Sequence, residues 1–133
     1  MLFAETNLIA ILVAAVAGWL FGMVWYMALG NVWMSAIGKT KADLKPSPGP
    51  FIVAFLALLV MGSVLAGLMG QMGPVTIRTG IISGFLAWLG FVITTLTVNH
   101  GFGGQKPKLT VIDGGHWLGV LLVQGAVIGA FGV

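Results

Sequence analysis

The twenty residues Phe51-Ile52-Val53-Ala54-Phe55-Leu56-Ala57-Leu58-Leu59-Val60-Met61-Gly62-Ser63-Val64-Leu65-Ala66-Gly67-Leu68-Met69-Gly70 carry no charge and a single hydroxyl, that of Ser63. An α-helix rises ~1.5 Å per residue, so a run of this length covers the ~30 Å of hydrocarbon in a bilayer. Lipid offers no partner for backbone N–H and C=O groups, so such a run must be a helix or part of a closed barrel. Barrel strands alternate apolar and polar residues over about ten positions, and this run does not.

Outward from it the same pattern recurs. The charges stand at Glu5, Lys39, Lys41, Asp43, Lys45, Arg78, Lys106, Lys108 and Asp113, leaving uncharged stretches 6–38, 46–77, 79–105 and 114–133. These hold 33, 32, 27 and 20 residues, each enough for one crossing. The reading is an all-α integral membrane protein, a single domain over 1–133 with four transmembrane helices near 7–29, 51–70, 79–100 and 109–132. The first stretch has Glu5 where a signal peptide has a basic region, and its apolar run is longer than the ~7–15 residues of a signal sequence. It is expected to remain as a span.

Composition agrees. The chain is 59% hydrophobic and 7% charged with a mean hydropathy of +1.09, against roughly 25% charged residues in soluble domains. Having no cysteine, it excludes disulfides, thiolate metal sites and Cys nucleophiles. Its pI near 9.7 reflects six cations scattered along an apolar chain, which argues against a nucleic-acid partner.

The cations also imply sidedness. Lys39, Lys41 and Lys45 fall in the first connection and Lys106 and Lys108 in the third, while the second holds only Arg78. The positive-inside rule then places the first and third connections in the cytoplasm and both termini outside the cytoplasmic (inner) membrane. Trp25, Trp33 and Trp117 fit an aromatic belt on the cytoplasmic side, whereas Trp19 and Trp88 fall mid-span and read as packing residues. Within the first connection Trp33, Met34 and Ile37 form an apolar patch suited to the interface. Thr40 and Asp43 have capping-box spacing, and Pro46-Ser47-Pro48-Gly49-Pro50 stops any helix before the second span.

Residues 58–67 align with 121–130 at five identical positions of ten, which suggests two tandem two-helix repeats related by an axis along the membrane normal. Small residues recur every four positions: Ala10, Ala14, Gly18 and Gly22, then Gly62, Ala66 and Gly70, then Gly80 and Gly84, then Gly125 and Gly129. Helices in lipid associate through close backbone approach, so these are expected packing surfaces. Glycine on every helix also leaves room for a homo-oligomer or a partner in a larger membrane complex.

Few polar residues lie within the spans. Asp113 and His116 share a face of the fourth helix that continues to Gln124. Asn99 and His100 end the third helix, and Tyr26 ends the first. By the orientation above, all but Gln124 lie toward the cytoplasm, where one shallow cavity could gather them as ligand-binding residues. Three uses follow. His100, Asp113 and His116 supply the residue types of a two-histidine, one-carboxylate metal site, although their spacing is no metal signature. The Asp–His pair could instead relay protons or hold a small polar ligand. In a purely structural role, Asp113 would satisfy first-turn amides and His116 would bond a neighbouring helix. No cofactor is implied. The turn Gly101-Phe102-Gly103-Gly104 with Lys106 and Lys108 lacks the Gly-Lys-Ser/Thr ending of a phosphate loop, and its lysines suit anionic headgroups. Ser35, Ser47, Ser63 and Ser83 have no nucleophile-elbow context, so no catalytic residue is expected.

Trp25-Tyr26, then Trp33-Met34 and Leu44, resemble the opening of the uncharacterised bacterial membrane proteins catalogued as domain of unknown function 1761. Asn99 before a Gly-rich basic turn, then Leu109, Ile112 and His116, is similar to the family's closing half. Where that pattern often has Ser-Pro after Trp-Tyr and an acid in the third connection, this chain has Met27-Ala28 and Gly103-Gly104. The resemblance implies four spans and transfers no mechanism. The residues themselves suggest a non-catalytic bundle that self-associates or joins a larger complex, with a carrier or channel-like ligand site and a metal-dependent enzyme as alternatives.

Overall fold

The computed structural model describes residues 7–45 and 47–132; Glu5 and Pro46 lie outside them. Four helices are long and apolar enough to cross a membrane: α1 Leu8–Ala28, α3 Pro48–Gln71, α4 Ile77–Phe102 and α5 Pro107–Phe131. A short helix, α2 Gly30–Ile37, follows α1, and a one-turn 3-10 helix spans Lys41–Asp43.

Local chemistry sets the ends. The Asn7 side chain accepts from the amides of Ile9 (2.9 Å) and Ala10 (3.3 Å), capping α1. Gly38, at φ +73°, closes α2, and the Lys39 amide returns to the Met34 carbonyl at 3.0 Å. The Asp43 carboxylate accepts from the Thr40 amide (2.8 Å) and hydroxyl (2.9 Å), the capping spacing expected there. Those two bonds hold its pKa below the usual aspartate value.

Three helices start earlier than expected, α4 by two residues behind its Thr76 cap. α3 begins at Pro48 and α5 at Pro107, because a proline in the first turn gives up only an amide that would have no helical partner. In α4 the regular ladder is interrupted at Trp88–Val92 by a π-helical turn, closed by the Ile93 amide on the Trp88 carbonyl. Nothing in the residue pattern announces it. Thr94, Thr95 and Thr97, on the exposed stretch beyond, donate to the carbonyls of Gly90, Phe91 and Ile93 four residues back. Their hydroxyls are thus satisfied within one helix.

α5 is the central helix, packed against α1, α3 and α4, while α3 leans chiefly on α1. The α4–α5 seam is made of glycine. A Cβ at Gly80 would strike the Gly125 carbonyl, and one at Gly125 would strike that of Gly80. Gly84 faces the Leu121 carbonyl and Gly129 that of Thr76 in the same way. On the other side of α5, Gly18 admits Val120 and Gly62 admits Gln124. Gly70 meets nothing within 4 Å and is no packing position, unlike the expectation; it stands on the exposed face of its helix, beside the buried Met69. Of the positions that align between residues 58–67 and 121–130, Leu58 and Leu121, Gly62 and Gly125, Leu65 and Ile128, and Ala66 and Gly129 are buried in both, whereas Gly67 is buried and Ala130 exposed. Large apolar side chains such as Leu12, Val53, Val60, Leu89 and Phe91 point outward and stand exposed, as lipid contact requires.

Candidate functional site

At the lysine-bearing end a partly open groove of about 850 Å³ lies between α1, α2, the start of α3 and α5. α2 bridges back to α5: Ala36 is buried with Leu109 and Ile112, and Tyr26, Trp33 and Ile37 pack against them. Lys106 and Lys108 reach the Ser35 carbonyl (3.3 Å) and hydroxyl (3.0 Å), so they tie the third connection to α2.

The groove gathers three polar side chains: Tyr26, Asp113 and His116. The Tyr26 hydroxyl donates to Asp113 Oδ1 at 2.6 Å, a short, charge-assisted length when the carboxylate is ionised. His116 lies between Tyr26 and Trp117, with ring centroids 4.9 and 4.6 Å away. Gly22 makes its seat, since a Cβ there would stand 2.8 Å from His116 Nε2. His116 Nδ1 is buried with no hydrogen-bond partner. The rest of the wall is aromatic and aliphatic, including Trp19, Trp33, Phe51 and Trp117. The Trp19 indole donates to the Phe51 carbonyl at 3.2 Å and fixes the groove's side.

The other sequence candidates fall elsewhere. His100 approaches Asp113 Oδ2 at 3.9 Å while its Nδ1 lies 2.8 Å from Thr110 Oγ1. The order Thr110–His100–Asp113 has the residue types of a hydrolytic relay, but 3.9 Å is beyond hydrogen-bond length and neither Thr110 nor His100 lines the groove. Asn99 is exposed and outside the site. Gln124 is fully buried behind Gly18 and Leu58; its Nε2 donates to the Leu58 carbonyl at 3.0 Å and its Oε1 is unpartnered. Among the described residues, no group of three His, Cys or carboxylate side chains could hold a metal ion, so His100, Asp113 and His116 do not assemble as one ligand set.

Trp25 turns inward instead of forming part of a belt. Its indole donates to the Ile112 carbonyl at 3.0 Å, as that of Trp88 does to Gly114 at 2.8 Å. Gly115 and Gly119 give the rings of Trp25 and Phe21 their places on α5. The sequence reading missed those two glycines, although their four-residue spacing is the signal that could have found this seam. The aromatic walls were not legible, because a tryptophan near a span end has the same local context whether it meets lipid or a groove.

A family model described as "Protein of unknown function (DUF1761)" matches residues 9–129. No curated protein and no solved structure matches.

Proposed function

Because the chain belongs to the DUF1761 family, whose description supplies no activity, we propose its function from the groove: a multi-pass membrane protein that binds a small organic ligand between α1, α3 and α5, in the manner of a carrier. The observation that carries this reading is the convergence of Tyr26, Asp113 and His116 on one wall of a cavity otherwise apolar. Ligand sites have this make-up, a mostly apolar volume of roughly 300–1,000 Å³ with few placed polar groups. An ionisable side chain within a span is costly unless it serves such a purpose. The lysine-rich connections support a groove mouth on the cytoplasmic side by the positive-inside rule.

The self-association reading drew on the glycine stripes. Those stripes now have partners within the chain, at Gly18, Gly22, Gly62, Gly80, Gly84, Gly125 and Gly129, and they no longer recommend an oligomer or a complex.

Three tryptophans line the groove, so their emission reports occupancy. Titrating tert-butylbenzene into the protein in zwitterionic nanodiscs should give a saturable change, after subtraction of empty discs. Ala54 lines the α3 wall, and Ala54→Trp should fill the groove and abolish that change. A linear, unsaturable response shared by both proteins would show partitioning into lipid and end the reading.

A further inference from the structure

The sign of the groove's charge narrows what it binds. Among the described residues Asp113 is its one carboxylate, and neither lysine nor arginine lines it. Lys106 and Lys108, the nearest cations in sequence, are held at Ser35. The carboxylate keeps some exposure: its side chain is 20% accessible, and Tyr26 engages Oδ1. His100 stands off Oδ2 at 3.9 Å, too far to satisfy it. Trp19, Trp33, Phe51 and Trp117 line the same groove. Tyr26 and Trp33 meet edge to face with centroids 5.9 Å apart, giving a corner of aromatic surface next to the acid.

Aromatic faces carry negative electrostatic potential and attract organic cations, the more so when water is excluded. An anionic ligand would meet Asp113 with no lysine or arginine to compensate it and only the His116 imidazole nearby in the same groove, and a strongly hydrated inorganic cation would lose its water to walls that offer few oxygens. A weakly hydrated ammonium bearing apolar substituents fits both the charge and the walls. Building on the ligand-binding reading above, we infer that the groove selects organic ammonium ions, with the cationic head at Asp113 among the aromatic rings and the apolar part along α1 and α3.

Three probes of one shape test it: phenyltrimethylammonium, its neutral carbon isostere tert-butylbenzene, and benzenesulfonate. Titrated into the protein in zwitterionic nanodiscs and read by tryptophan emission, the ammonium should bind about tenfold more tightly than the isostere, with the sulfonate weakest. Asp113→Asn keeps the side-chain shape and an acceptor for Tyr26. It should lower ammonium affinity to that of the isostere while leaving isostere binding unchanged. The unaltered isostere then shows that the groove is intact. Should Asp113→Asn fail to fold, the charge series on the wild-type protein still decides.

Equal binding of ammonium and isostere, tightest binding of the sulfonate, or full ammonium selectivity in Asp113→Asn would each overturn the assignment while the groove reading stands. Unsaturable responses to all three probes would remove both.

Discussion

A single missing methyl group shapes the site. Gly22 on α1 lies where any Cβ would press on His116 Nε2, so the histidine's position is set as much by the glycine as by its own helix. We predict that Gly22→Ala displaces the His116 ring, lowers stability by about 1–3 kcal/mol and weakens tert-butylbenzene binding. Gly30 lines the same groove but has open space around it, and Gly30→Ala should leave both unchanged. Thermal unfolding in mild detergent, together with the tryptophan titration, separates the two; equal effects would show that the seat of His116 is not limiting. Asp113 and His116 were legible as a pair from their three-residue spacing on α5. That Tyr26 would complete the group, and that Asn99 and Gln124 would not, depended on side chains 87, 14 and 11 residues away from Asp113 along the chain, a relation no local pattern encodes.

Between elements, the seam of α4 on α5 is the closest in the molecule. Lipid tails solvate apolar side chains as well as another helix does, so association comes from backbone proximity and dispersion, which glycine permits. Gly80 and Gly125 meet carbonyl to Cα, with no volume for a side chain and no flexible neighbour to yield. Gly80→Ala should therefore force the two helices apart and cost at least about 2 kcal/mol, more than the ~1 kcal/mol that alanine gains over glycine in a helix. Gly70→Ala, on the exposed end of α3, should gain a fraction of that propensity term. The comparison is made by thermal unfolding of the two variants side by side; a Gly80→Ala protein as stable as wild type would mean that the seam is looser than its geometry. Element ends followed the sequence within two or three residues, and the shifts at Pro48 and Pro107 have one cause, the tolerance of proline in a first helical turn. The π turn at Trp88–Val92 was not readable, since it answers to the docking of Trp88 on the Gly114 carbonyl of another helix.

For the whole molecule, four crossings bring the first and third connections to one end, where Lys106 and Lys108 join Ser35. The lysine count predicts that this end faces the cytoplasm. The native chain has no cysteine, so single introduced thiols are unambiguous reporters. Met72→Cys, in the second connection, should react with a membrane-impermeant maleimide in intact cells, and Ser47→Cys, in the first, only after permeabilisation. The reverse pattern would invert the protein and move the groove to the other face. Sequence alone determined that the chain has four helices able to span a bilayer and most, though not all, of the small residues at their seams. Those properties follow from hydrophobicity, chain length and spacing along single helices, and each is a sum over local terms. Which helices touch, whether a tryptophan faces lipid or a carbonyl, and which of six polar candidates share one cavity were decided by the tertiary structure. The reason is physical: lipid wets every apolar helix face about equally, so only the fit of one surface to another selects among the ways of packing them.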